Sequence, residues 1–195
     1  MKTQLLNKKF IAWWLVFIWL LMIAFAFWWF ELRWYRQVDF QYSDALFDSR
    51  TLLNDQSLLQ GKDHRATVVH YFDPACPCTR FNTAHVQELM ATYLPKGVAF
   101  VIKVPNEAAR QLAHQTFKQV PIDVVAAKNA PVASPAALVL NPLGQPEYVG
   151  PYSPGAVCTS KTGDFVGLAL DDVIQGKGFK QTINLANGCF CQWPV

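Results

Sequence analysis

Beyond residue 36 this chain has no excess of either charge: residues 37–195 carry 12 basic and 13 acidic side chains. A near-neutral surface offers no electrostatic footprint for a phosphate backbone, which excludes a nucleic-acid role. The formal net charge of +3 instead comes from residues 1–36, where five Lys or Arg accompany a single Glu. The chain also lacks internal repeats and low-complexity tracts, so nothing in it suggests a solenoid or an extended linker. Tryptophan is scarce outside one place, since six of the seven lie within residues 13–34. The most informative absence is of polarity: Phe10–Phe30 contains no charged or polar side chain over 21 residues.

At ~1.5 Å rise per residue such a run spans about 30 Å, one hydrocarbon core, and it is expected to be a membrane segment. The pairs Trp13-Trp14 and Trp28-Trp29 fall near its ends, as interfacial belts do. Lys2, Lys8 and Lys9 precede it, whereas Arg33 and Arg36 after it are partly offset by Glu31 and Asp39. The positive-inside rule then predicts a single-pass inner-membrane protein with a cytoplasmic N-terminus and everything after Arg36 in the periplasm or an equivalent exported space. Ala24-Phe25-Ala26 has the small-x-small form of a signal-peptidase site. The apolar run continues past it, which favours an uncleaved signal-anchor. Two regions are therefore expected: residues 1–36, cytoplasmic N-terminus and anchor, and residues 37–195, an exported domain. The second is long enough for one core and too short for two ordinary domains.

Five cysteines facing an oxidising space imply disulfides, with an odd thiol left over. Two of them, Cys76 and Cys78, flank Pro77 directly after the β-branched and aromatic run 67–72 and before a helical pattern beginning near Thr79. Unpaired N–H groups and the positive end of the helix dipole stabilise a thiolate there, and the thiolate is the reactive form. Pro77 suits the first helical position, with Cys76 as cap and Cys78 in the first turn. A redox pair, metal ligands and inert packing are all compatible with the motif, the first being favoured.

The rest of the exported part alternates. An amphipathic helix is expected at 45–60, a strand at 67–72, a helix at 79–94 ended by Pro95-Lys96-Gly97, and a strand at 98–104. Asn106 caps a further helix to about Lys118, with Glu107 in its first turn. A Pro-containing connection then leads to strands at 136–140 and 147–149 joined as a hairpin, and a last helix runs over 164–175 to Gly176. The order β-α-β-α-β-β-α makes the first three strands parallel, with the fourth returning beside the third.

A strand ending in Phe72-Asp73-Pro74-Ala75-Cys76-Pro77-Cys78, the helix after it, and Ser134-Pro135 immediately before a strand, hairpin and helix resemble the thioredoxin fold, over about residues 64–178. More specifically, the chain resembles the membrane-tethered periplasmic branch of bacterial thioredoxin-like proteins. The resemblance implies an α/β three-layer fold, a central mixed sheet flanked by helices. It implies Cys76 as the attacking thiolate and Cys78 as the resolver of the mixed disulfide. It also implies Pro135 as a cis-proline beside the sulfurs, presenting the backbone of Ser134 to an incoming extended peptide. X–Pro is nearly the sole context in which a cis bond is cheap.

The chain departs from that family in having one residue, not two, between its cysteines. A disulfide across one residue forms only with strain, which would raise its reduction potential and favour oxidation or isomerisation over reduction. The alternative is that Cys76 pairs with a distant thiol. No Thr-x-x-Cys of peroxidase type stands in this segment.

Cys158, Cys189 and Cys191 are candidates for structural disulfides, and topology brings all five thiols to one end of the sheet. A staple between Cys158 and one tail cysteine is the favoured arrangement. If the tail pair instead meets Cys76 and Cys78, a relay or metal role gains. Cys76, Cys78, Cys189 and Cys191 would give four sulfur ligands, suited to Zn²⁺ or Cu(I). Of the histidines, His85 is expected to be a solvated or core residue, His70 lies within a strand, and His64 and His114 stand apart from the motif. Asp73 is either a nearby proton acceptor or simply the start of an Asp-Pro turn.

Two functions follow. The first is a membrane-tethered thiol-disulfide oxidoreductase acting on exported protein thiols with a separate redox partner and no cofactor beyond its own disulfide. The second is a non-catalytic thioredoxin-like module that holds copper, zinc or a client protein through its thiols.

Overall fold

The computed structural model describes residues 2–30, 35–37, 64–125, 129–131, 133–153, 164–179, 187–189 and 191–194. The helix expected at 45–60 and Cys158 lie outside the described residues, as does the side chain of Cys189. The chain divides into two units, Met1–Tyr35 and Arg36–Val195.

The first unit is helix α1, Lys2–Phe30. Its segment Phe10–Phe30 has a mean hydropathy of 2.5 and none of it is buried in protein. Apolar side chains surround the whole circumference, so no face is suited to water. The helix is long and apolar enough to cross a membrane.

The second unit is built on a five-stranded mixed sheet with the order β4-β3-β2-β6-β7, formed by Ile122–Val124, Val98–Val104, Ala66–Tyr71, Ala136–Leu140 and Pro146–Gly150 respectively. Short strands also occur at Tyr35–Gln37 (β1), Ala133–Ser134 (β5), Asn187–Cys189 (β8) and Cys191–Gln192 (β9). Helix α2, Pro77–Tyr93, crosses from β2 to the parallel β3, and helix α3, Glu107–Thr116, crosses from β3 to the parallel β4. Both crossovers step in the same direction along the sheet, so the usual right-handed connection puts both helices on one face. Helix α4, Phe165–Ile174, joins them there. Val86, Leu89 and Met90 of α2, Ala109 and Ala113 of α3, and Val166, Ala169 and Leu170 of α4 share one core with Val68, Phe100, Ile102 and Val139 of the sheet. The fold is thioredoxin-like: a mixed five-strand sheet flanked by helices, with a cis peptide bond at Ser134-Pro135.

Local signals set the element ends as expected. Asn106 accepts a hydrogen bond from Ala109 N–H at the start of α3, and Asp164 does the same from Gly167 N–H at the start of α4. Gly97 and Gly176, at φ of 83° and 72°, occupy the left-handed conformation that ends the preceding helical turns.

One expectation fails. The third parallel strand is Ile122–Val124, inside the stretch expected to be a connection, and Ala136–Leu140 pairs antiparallel with β2. Three residues behind Pro121, of which Ile122 alone is buried, carry too little alternation to mark a strand. Its hydrogen bonds come from the exposed flank of β3, a tertiary cause with no local trace.

The second face of the sheet holds a smaller cluster: Val69 and Tyr71 from β2, Ala136, Leu138 and Leu140 from β6, with Val125 and Trp193. The period of two along each strand sends alternate residues to the two faces, as with Val68 and Val69. Lys103 lies buried on β3, its Nζ 3.1 Å from Asp123 Oδ2 on the adjacent strand.

Candidate active site at the start of helix α2

Strand β2 delivers the chain to the C-terminal edge of the sheet, and a tight turn redirects it into α2. Asp73 makes the turn: its Oδ1 accepts from Ala75 N–H at 3.0 Å and its carbonyl from Cys76 N–H at 3.1 Å. Burial pushes the Asp73 carboxyl above its ordinary pKa, opposed by the Ala75 hydrogen bond. The turn accounts for this residue.

Cys76 then stands at the N-cap of α2 in extended conformation, with Pro77 in the first turn and Thr79 N–H donating to the Cys76 carbonyl. The cap makes no side-chain hydrogen bond to the helix, and its sulfur lies at the positive end of a 17-residue helix. Cys76 and Cys78 are each 2% exposed.

The sulfur of Cys76 is bonded to Cys191, 115 residues away, with a Cα–Cα separation of 5.8 Å. It also lies 3.6 Å from the carbonyl oxygen of Ser134, the residue before the cis-proline. Cys191 reaches it because β9 runs antiparallel to β5, placing Cys191 opposite Ser134. Cys78 is disulfide-bonded as well. The sulfurs of Cys76, Cys78 and Cys191 all lie within 4.8 Å of one another.

Cys76, Cys78, Ser134, Pro135 and Cys191 thus meet at one end of the sheet. The expected staple is not formed through Cys191, and a link from Cys158 to Cys189 lies outside the described residues. Cys191 is paired with Cys76 rather than Cys158, because the β5 edge holds the tail directly over the helix start. The strained one-residue disulfide between Cys76 and Cys78 does not occur: the distant-thiol alternative is the one realised for Cys76.

Residues 43–193 match a family described as a domain of unknown function, DUF6436. The chain belongs to that family. Among solved structures it is similar to an uncharacterized conserved protein from Geobacillus kaustophilus, at 18% identity and a TM-score of 0.55, over 69% of this chain and 79% of that one. It is similar as well to a hypothetical protein from Sinorhizobium meliloti, at 16% identity and a TM-score of 0.54, over 69% and 82% of the two chains. A thiol:disulfide interchange protein of the thioredoxin family from Chlorobium tepidum matches at 14% identity and a TM-score of 0.43, over 59% and 81%. No curated protein matches. At these identities the two likenesses with TM-scores above 0.5 speak for the fold alone.

Behind the sulfurs, α2 turns a polar row inward. Thr79, Asn82 and His85 are buried, and Thr79 Oγ1, both Asn82 side-chain heteroatoms and both His85 ring nitrogens have no hydrogen-bond partner among the described residues. His85 Nε2 lies 3.1 Å from Asp164 Oδ1, without the alignment of a hydrogen bond. His70, fully buried in β2, has its Nδ1 2.8 Å from Tyr152 Oη and its ring against Phe72 and Phe117. Burial drives its pKa down to about 3, partly countered by a backbone hydrogen bond with Ala136, so the ring is neutral. His85 is a core histidine, while His64 and His114 are exposed.

The residue that sequence reasoning missed is Trp193. It is the lone tryptophan beyond residue 34, and that isolation was the available signal.

Proposed function

We propose that this chain is a membrane-tethered thiol-disulfide oxidoreductase acting on exported protein thiols. The observation that carries the reading is the Cys76–Cys191 disulfide at the N-terminus of α2, beside the cis-proline. Helix α1 supports the tether, and the charge asymmetry around Phe10–Phe30 supports a cytoplasmic N-terminus with the second unit exported.

In the reduced state the Cys76 thiolate, favoured by the helix end, attacks one sulfur of a partner disulfide. The partner's other sulfur leaves as a thiolate. A second thiol of this chain then attacks Cys76 Sγ, which closes the internal disulfide and releases the partner as a dithiol. Two electrons pass to the partner, and the reverse sequence oxidises one. Cys191 is the resolving thiol that the geometry favours, a role the thioredoxin resemblance assigns to Cys78. The Ser134-Pro135 backbone lines the groove in which the partner lies.

The purified full chain should show a reversible two-electron couple for Cys76 and Cys191 that disappears in Cys76→Ser. Absence of any such couple in the wild type would end this reading.

The clustering of three sulfurs within 4.8 Å favours one second reading, a soft-metal site formed after reduction. Stoichiometric Cu(I) or Zn²⁺ held by the reduced chain and lost in Cys78→Ser, with no reversible thiol couple, would replace the first reading by the second.

A further inference from the structure

The last described residues are laid out as an extended ligand would be. Cys191–Gln192 runs antiparallel to Ala133–Ser134, with Cys191 opposite Ser134 and Gln192 opposite Ala133. Side chains alternate along it: Cys191 and Trp193 are buried, Gln192 and Pro194 exposed. Addition of a strand to a sheet edge produces this pattern, with backbone bonds holding the segment while every second side chain enters a site.

One of those sites is the Cys76 sulfur. The other is apolar. Trp193, 4% exposed, meets the ring of Tyr71 edge-on with centroids 6.0 Å apart, in a cluster with Val69, Val125, Ala136 and Leu138. A disulfide link alone requires none of this second contact. The groove therefore has a measurable register: a sulfur position, an outward position, and an aromatic position two residues beyond the sulfur.

We propose that this groove recognises extended protein segments carrying a cysteine followed two residues later by a large aromatic side chain, and that Cys191-Gln192-Trp193 is a tethered copy of that ligand. The proposal rests on Cys76 being the attacking thiolate. A partner segment and the tail then compete for the same Ser134 edge, the same sulfur and the same apolar site. When a partner thiolate attacks Cys76 Sγ, the Cys76–Cys191 bond breaks, Cys191 leaves as a thiolate, and the partner takes the strand position. When Cys191 attacks Cys76 Sγ in return, the partner sulfur leaves, and the tail retakes the edge. Resolution of the mixed disulfide and release of the partner are one movement.

The test uses the full chain, oxidised, in detergent micelles, with three synthetic peptides as probes: Ala-Cys-Gln-Trp-Pro, Ala-Cys-Gln-Ala-Pro and Ala-Cys-Trp-Gln-Pro. The rate of peptide adduct formation at Cys76 is followed by acid quench and mass spectrometry. The first peptide should react on the order of tenfold faster than the other two, the gain expected from burying one aromatic side chain. Equal rates for all three would overturn the proposed specificity while leaving the oxidoreductase reading intact. No adduct with any peptide, and no reduction by dithiothreitol, would instead remove the oxidoreductase reading itself. In Trp193→Ala the tail holds its place less well, so all three peptides should react about tenfold faster with their ranking preserved. An unchanged rate in that variant would overturn the tail's part in the proposal. A covalent dimer joining Cys76 of one copy to Cys191 of another, in place of peptide adducts, would make a second copy the occupant and overturn the partner assignment. Should Trp193→Ala fail to fold, the peptide series on the wild type still decides.

Discussion

The two faces of the sheet are closed by different means. On one, α2, α3 and α4 bury Val86, Leu89, Ala113, Val166 and Leu170 against Val68, Phe100 and Val139, and α2 and α3 are joined to the sheet by short connections. On the other, the described cover includes Trp193, brought in from the end of the chain and held by two residues of β pairing and the Cys76–Cys191 bond. The first arrangement depends mainly on apolar burial. The second depends on burial and on a bond that thiols can break. A change of redox state should therefore alter one face and leave the other as it was.

The largest effect expected from either face is on the helix-covered one. Phe100, 2% exposed, stands among Val86-side and sheet residues of the larger core. Phe100→Ala should cost about 3–5 kcal/mol, the range for emptying a packed aromatic site. Urea unfolding followed by far-ultraviolet circular dichroism should give the same loss with the disulfide intact or reduced. A loss that differed by more than about 1 kcal/mol between the two states would break the separation of the faces.

Next in size is the cross-link. Cys191→Ser removes a bond closing 115 residues and should lower stability by about 2–4 kcal/mol relative to the oxidised wild type. With both chains fully reduced, so that the Cys78 disulfide is open in each, variant and wild type should differ by little. A deficit that persisted under reducing conditions would mean that Cys191 matters for packing rather than for its bond.

Trp193→Ala sharpens the comparison further. In the oxidised chain it should cost about 1.5–3 kcal/mol for the buried ring. In the reduced chain, where the tail is free to leave the β5 edge, the cost should shrink towards zero. Equal costs in both states would show that Trp193 stays seated without the disulfide.

How much of this was legible beforehand follows from the range over which each cause acts. The start of α2 is set by Cys76, Pro77 and the Asp73 turn, all within a few residues, and it could be read from the sequence. The same holds for the Asn106 cap and for Ser134-Pro135 as a cis bond. Strand β4 could not be read, because Ile122 alone among its three residues is buried and its pairing is supplied by β3. The tail was half legible. Topology and the reach of the tail pointed Cys189 and Cys191 to the sulfur end of the sheet, yet the choice of Cys76 over Cys158 as the partner of Cys191 is made by β5, a two-residue strand with no pattern of its own. Trp193 was the part of the site not read at all, since its apolar neighbours come from three separate strands and loops.

The smallest expected effect tests the helix-covered face through a proton. His70 is buried among Phe72, Phe117 and Tyr152 on that side, and its pKa falls to about 3 by desolvation. In the unfolded chain it returns to the ordinary value near 6.5. Between those values the unfolded state binds the proton and the native state does not, so stability falls as pH falls through that window and is fully present above about 6.5. The slope contributed is about 1.4 kcal/mol per pH unit. Asp73, raised by burial, contributes with the opposite sign, but it is common to both chains and cancels in a comparison. His70→Gln keeps a polar group for Tyr152 Oη and cannot titrate. Its stability measured by urea unfolding at pH 5.5 and 4.5 should fall less than the wild type's, by roughly 1.3 kcal/mol. The difference should be the same whether Cys76–Cys191 is intact or reduced, since the tail lies on the other side of the sheet. A pH slope that changed with redox state would mean the two faces communicate through β2, whose residues Tyr71 and His70 are neighbours pointing to opposite sides.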